Sequence, residues 1–351
     1  MIDLEERKTL YKKVCENIKT LRPCNLIYDN LNCYYTFYVK PVSIVDEILS
    51  DSGSKNSSSP ESILSSSSDS ASEIFELINS KDIKVIQKNI YNNNMNYIYT
   101  ELICNLCVSD MILSGINSGF TLLYSYQFKS YNNPFNICKS NNIRKSNSVN
   151  DYIKNENFKE NNRYLKLLIE HADINLSKLY KKDIVKFNEI SIIQQILYSI
   201  LSYSKFGIIH NDLFPRNILI KIKDKDVLSI ISDFGFSLID RSSQIFNEKK
   251  YTSIVDDDIF NHVNLITNNT CNIIIDNISY DNISIYKKDI LTILKSISLI
   301  TKNESIRILC NNIILDIIDT IINSFNELIN YIELRLLSKS LNVSVLNGLT
   351  I

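Results

Sequence analysis

Residues 207–238, GIIHNDLFPRNILIKIKDKDVLSIISDFGFSL, constrain the fold of this 351-residue chain more than any other stretch. Three apolar, β-branched runs at 208–209, 218–222 and 228–231 have the length and continuity of short buried strands. Between the first two lies His210-x-Asp212-x-x-x-x-Asn217, and just after the third lies Asp233-Phe234-Gly235, 21 residues past Asp212. As isolated residues, Asp212, Asn217 and Asp233 are ordinary turn formers at strand ends. Both motifs in order, at this spacing and with strand-like flanks, favour a functional reading over that one.

Together the motifs resemble the catalytic loop and D-F-G segment of protein kinases. The resemblance implies phosphoryl transfer from Mg-ATP. That reaction needs a carboxylate to orient the attacking hydroxyl and metal ions to hold and neutralise the triphosphate. On this reading Asp212 is the base, while Asn217 and Asp233 are the Mg²⁺ ligands. One carboxylate and one amide oxygen suit a cation that takes most of its remaining ligands from phosphate and water. Arg216, four residues after Asp212, matches an Arg seen in many tyrosine kinases and supplies positive charge to the transferring phosphate. The Lys that Ser/Thr kinases place two residues after the Asp is replaced by Phe214, whereas Pro215 matches the Ser/Thr pattern. The acceptor class therefore stays open, with Ser/Thr hydroxyls of proteins favoured on base rates. Asn211 stands where the motif has Arg, which removes the group that pairs with a phosphorylated activation loop.

Further matches lie upstream. Residues 67–74, SSDSASEI, lie where the Gly-rich loop would, with no glycine retained; Ser70, Ser72 and Ile74 are the residues expected near the nucleotide. Lys88 closes Val85-Ile86-Gln87-Lys88, similar to the V-A-I-K strand whose Lys pairs the α- and β-phosphates. Lys40 is a rival for that role. The apolar spacing over 96–114 predicts a helix ended by Gly115, with Glu101 as the acid that pairs with the strand Lys; a first-turn acid favoured by the helix dipole is the alternative. Residues 120–128 read as a strand. The run 164–173 ends in Glu170-His171-Ala172-Asp173 and looks like the kinase hinge, so backbone groups of Glu170 and Ala172 would bond adenine, with His171 on the hinge surface. Residues 190–206 are apolar around most of the circumference and predict a buried helix carrying the catalytic loop. Asp256, Asp257 and Asp258 precede an apolar run, either as a solvated helix start or as the source of an acid that contacts that loop. Two or three helices over 284–338 complete an α-rich lobe.

Composition sets the frame. The formal net charge is −1, from 38 basic and 39 acidic residues, so no global field argues for a nucleic-acid or membrane partner. Among 8 cysteines the single C-x-x-C, Cys104 and Cys107, lies in an apolar helical pattern and reads as core thiols. The absence of a signal-peptide core and of an unbroken apolar span predicts a reducing, cytoplasmic setting with no membrane span. Residues 50–72 are Ser-rich and read as a linker, and 129–162 as an insertion. The expected class is α+β: a two-lobed protein-kinase-like fold with a small β-rich lobe and a larger helical one. Its parts are an extension at 1–48, a linker at 49–66, an N-lobe at 67–172 and a C-lobe at 173–351. The cofactors implied are ATP and Mg²⁺, and the partner is a protein substrate. The divergence and the Asn/Ile/Lys-rich composition suggest a large DNA virus or a reduced parasite. Two rivals remain: a choline- or aminoglycoside-kinase-like small-molecule phosphotransferase, and a pseudokinase scaffold.

Overall fold

The computed structural model describes residues 4–30, 70–78, 83–92, 95–130, 163–182, 187–223, 226–243 and 262–337. The chain mixes helices and largely antiparallel sheets in the α+β manner. It divides into two compact units, one of 11–98 and 123–171, the other of 1–10, 99–122 and 172–351. Among the described residues, no helix is long and apolar enough to cross a membrane.

The first unit is built on a five-stranded antiparallel sheet of order β1-β2-β3-β5-β4. Its strands are β1 (Arg22–Asn30), β2 (Ser70–Ile78), β3 (Lys84–Asn92), β4 (Leu123–Ser130) and β5 (Arg163–Glu170). Val85 and Ile90 of β3 and Leu165 and Leu167 of β5 are fully buried, so these two of the three inner strands carry much of the core of this unit. Helix α1 (Leu4–Asn17) adds Val14, fully buried, and Tyr11, whose ring lies 5.8 Å from that of Tyr124. Strand β1 falls within the stretch read as an extension, so the sheet begins well before residue 67. The strand expected over 120–128 starts only at Leu123. Phe120 instead forms a parallel bridge with Ile231 in the other unit's own sequence, to which 99–122 belongs. The β-like run at 33–39, Lys40, most of the Ser-rich tract and residues 131–162 lie outside the described residues.

The second unit is mainly helical. Helix α2 (Met95–Leu113) contributes its residues from Tyr99 onward, and Gly115 ends it in the left-handed region (φ 77°). After the hinge-like residues come β6 (Ile174–Asn175), α3 (Leu176–Lys182) and α4 (Glu189–Lys205). Asn188 caps α4 by accepting from the Ser191 N–H, and ten of its residues are buried, as its apolar circumference predicts. Gly207 then turns the chain at φ 71°, where an added Cβ would lie 2.5 Å from Ser243 Cβ, so both conformation and space require glycine.

Four short strands follow: β7 (Ile208–Ile209), β8 (Ile218–Lys223), β9 (Asp226–Ile231) and β10 (Leu238–Ile239). β8 pairs with β6 and β9, and β7 pairs with β10. An antiparallel hairpin of β11 (Thr270–Ile275) and β12 (Ile278–Ser284), foreseen by none of the sequence patterns, precedes the last helices. These are α5 (Lys288–Ile300), α6 (Glu304–Asp319) and α7 (Phe325–Tyr331), the last running into a π-helical turn, Ile332–Leu337. Asn303 and Ser324 cap α6 and α7, and the Ser324 cap marks where the apolar stretch 306–336 divides into separate helices.

Candidate functional site

Pairing of β8 with β9 sets the geometry. Ile218 opposes Ile231, so the residues that flank this pair, Asn217 on one side and Ser232-Asp233 on the other, emerge side by side from the hairpin. The Ser232 N–H (3.0 Å) and hydroxyl (3.1 Å) both donate to the Asn217 carbonyl. The Ser232 carbonyl in turn lies 2.9 Å from His210 Nε2 and accepts its proton. One serine thus ties the H-x-D-x-x-x-x-N loop to the D-F-G triplet through main-chain bonds that tolerate little slippage.

Within the loop, Asn217 is 6% exposed and its Nδ2 donates to the carbonyl (2.8 Å) and to Oδ2 (2.9 Å) of Asp212. With the amide nitrogen so engaged, Asn217 offers its side-chain oxygen as a ligand atom. Arg216 Nη2 spans both Asp212 oxygens, at 2.7 and 3.0 Å, while its guanidinium lies 4.6 Å above the Phe214 ring. Phe214 therefore serves as a platform for the Arg that faces the carboxylate. Asp212 remains partly open, with a side-chain exposure of 19%. A carboxylate has about four acceptor positions, so these donors leave room for a further hydroxyl.

Asp233 has left-handed backbone angles, φ 68° and ψ 66°. Such angles persist in a non-glycine residue only where the surroundings fix them, and Asp is among the side chains that tolerate them best. The fixing group is Phe234, fully buried, with His210 at 4.9 Å and Phe120 and Tyr203 each at 6.4 Å between ring centroids.

Beneath the loop sits an acid that the sequence did not single out. Asp289, at the start of α5 and 3% exposed, accepts from three donors. These are the Tyr203 hydroxyl (2.6 Å) and the His210 N–H (2.7 Å) on Oδ2, and the Asn211 N–H (2.9 Å) on Oδ1. Burial, reinforced by the Asp289 charge, holds the Tyr203 phenol well above its ordinary pKa, so the hydroxyl stays a donor. Asn211, at φ 66°, donates to the Phe236 carbonyl (2.9 Å) and accepts from Lys288 Nζ (2.6 Å). The acid that steadies the loop is therefore at 289; Asp256, Asp257 and Asp258 lie outside the described residues.

The other candidates are placed as follows. Ser70, Ser72 and Ile74 lie on β2 rather than in a loop. Ser72 and Ile74 pair with Asn30 and Tyr28 on one side, and with Ile90 and Lys88 on the other. A strand laddered on both edges has its N–H groups committed, and the apolar, β-branched and aromatic residues of IFELI suit a strand. The β1–β2 connection lies outside the described residues. Lys88 is on β3, 5% exposed, between Ile74 and Leu167 in the register. Glu101 is on α2 in the other unit and 2% exposed, well beyond the burial of a surface first-turn acid. Glu170 ends β5 opposite Val85, and the unit boundary falls between His171 and Ala172. His171 Nε2 lies 3.7 Å from Glu76 Oε1, which also accepts from Lys84 at 3.1 Å. Cys104 and Cys107 are fully buried core thiols. Among the described residues no group of three or more His, Cys, Asp or Glu gathers as a metal cage. No protein-family model matches the chain, and no curated protein matches its sequence.

Proposed function

We propose that the chain is a two-lobed, protein-kinase-like phosphotransferase that moves the γ-phosphoryl group of Mg-ATP to Ser/Thr hydroxyls of proteins. The observation that carries this reading is the stitching of Asp212, Asn217 and Asp233 into one rigid group by Ser232 and His210. Phosphoryl transfer relies on positioning and electrostatics rather than covalent chemistry, and fixed oxygen ligands beside an accessible carboxylate are what it uses.

The donor set fits Mg²⁺. One carboxylate (Asp233) and one amide oxygen (Asn217) cannot complete an octahedron, which suits a cation that arrives with the oxygens of a triphosphate. When bound, the metal would neutralise charge developing on the phosphates. Asp212 orients the acceptor hydroxyl and takes its proton. Arg216, already held against Asp212 and Phe214, offers a cation to the transferring group. Lys88 supports the reading by its place on the third strand of the sheet with a helix following, as the Lys of V-A-I-K is placed in protein kinases.

A phosphotransfer assay tests it, with Mg-ATP, casein and myelin basic protein as acceptors, and Asp233→Asn and Asp212→Asn beside the unaltered chain. The expected result is labelled protein, lost on Asp233→Asn and reduced about 10²- to 10⁴-fold on Asp212→Asn, the usual worth of a positioned base. Labelling that survives both substitutions would sink the assignment. A thermal shift with Mg-ATP but no protein labelling would favour a small-molecule acceptor, and neither shift nor labelling would favour a scaffold.

A further inference from the structure

We propose that Arg7 of the N-terminal helix is a positioning residue for Asp233, an inference that rests on reading Asp233 as the Mg²⁺ ligand. Arg7 is a long cationic side chain only 1% exposed. A guanidinium is withdrawn from water at such cost that its donors must meet acceptors. Here Nη1 donates to the Ser118 carbonyl and Nη2 to the Phe120 carbonyl at 2.6 Å. Charge-assisted bonds of this kind are about twice as strong as neutral ones, and two of them define the path of a three-residue segment.

That segment is the other half of the argument. The Gly119 carbonyl, between the two that Arg7 holds, accepts from the Ile231 N–H at 2.9 Å, and the Thr121 N–H donates back to the Ile231 carbonyl at 3.3 Å. Both main-chain groups of Ile231, two residues before Asp233, are therefore fastened to the segment that Arg7 fastens. On the far side of Asp233 the Phe234 ring packs on Phe120, whose carbonyl is one of Arg7's acceptors. Asp233 is bracketed, and its left-handed backbone is the kind of conformation that relaxes when a bracket loosens. The same helical turn packs Leu4 beside Gly115, while its exposed Glu6–Lys223 pair contributes little. The start of the chain thus acts as a clamp behind the D-F-G triplet.

The test uses the full chain with Arg7→Met, Arg7→Lys and Glu6→Gln, reading initial phosphotransfer rate against Mg²⁺ concentration at saturating ATP, beside the thermal midpoint without ligand. Arg7→Met is expected to raise the half-saturating Mg²⁺ concentration about tenfold while the KM for the protein acceptor stays put; Arg7→Lys falls between, and Glu6→Gln matches the unaltered chain. A folded Arg7→Met with its Mg²⁺ midpoint within about twofold of the unaltered chain overturns the proposal, whatever its thermal midpoint, because a purely structural residue would move only the latter. Should Arg7→Met fail to fold, the midpoint of Arg7→Lys decides by the same criterion. An unaltered chain with no Mg²⁺ response rejects the Asp233 reading itself, and is told apart because it fails before any substitution is made.

Discussion

Asp289 concentrates the physics of the site in one side chain. Its carboxylate satisfies one buried and one part-buried main-chain donor and a buried phenol, and among the described residues no other acceptor takes these bonds. Asp289→Ala leaves all three without an acceptor, and each orphaned buried donor costs about 1–3 kcal/mol. We expect a loss of about 3–5 kcal/mol in urea unfolding, in the range seen when a buried ionic partner is removed. Tyr203→Phe removes one donor and leaves the carboxylate two others, so about 1 kcal/mol is expected there. If Asp289→Ala unfolded at the same urea concentration as the unaltered chain, the network would not hold the loop. The residue escaped sequence reading because an acid in the first turn of a helix is also what the helix dipole favours on a solvated surface. A usable signal was present nonetheless: the helix that follows, DILTILKSISLI, is apolar on most sides, so an acid at its start has little surface to face. Asp212, Asn217 and Asp233 were legible by contrast because their identity and spacing are local, and a local hairpin sets their proximity.

At the scale of elements, continuous β-branched runs and whole-circumference apolar helices were read easily, as β7, β8, β9 and α4 illustrate. The hairpin of β11 and β12 was missed because Asn and Ile alternate throughout this chain, so the period-two pattern of NNTCNIIIDNISYDNIS does not stand out from its background. Its turn, Asp276-Asn277, was a recognisable sign: both residues have positive φ, 51° and 62°, the mirror-image turn that matches strand twist. The element therefore predicts its own mutational response. Asn277→Gly should be neutral or stabilising by up to about 1 kcal/mol, while Asn277→Val, β-branched at a left-handed position, should cost about 1–2 kcal/mol. Thermal midpoints of the two variants that move together would argue against this turn. Ser70–Ile74 was read as a loop for a different reason. The match to a Gly-rich loop weighed spacing from Lys88, whereas the apolar, strand-favouring residues that follow in IFELI and the pairing on both edges place these residues on β2.

For the molecule as a whole, buried acids that stay protonated make stability depend on alkaline pH. Burial raises the pKa of the Cys104 and Cys310 thiols, that of Cys310 from 9.0 to about 12, and burial with a neighbouring carboxylate raises the Tyr180, Tyr203 and Tyr331 phenols. In the unfolded chain these groups lose their protons from about pH 9 upward, near their ordinary values. Between pH 9 and about 12 the folded chain therefore binds more protons than the unfolded one, and linkage makes stability fall as pH rises through that window. Below pH 9 the contribution is fully present and flat. Urea unfolding under reducing conditions should show a midpoint that is flat below pH 9, lower at pH 10 than at pH 8, and lower again at pH 11. Cys310→Ala separates one group from the rest. It should lower stability at pH 8 through the small cavity it leaves, yet lose stability more slowly from pH 10 to 11, by up to about 1.4 kcal/mol per pH unit, the worth of one proton. Parallel slopes for the variant and the unaltered chain would mean that the Cys310 thiol ionises as readily folded as unfolded. Such a thiol would have to reach water, which its complete burial on α6 does not allow without local opening.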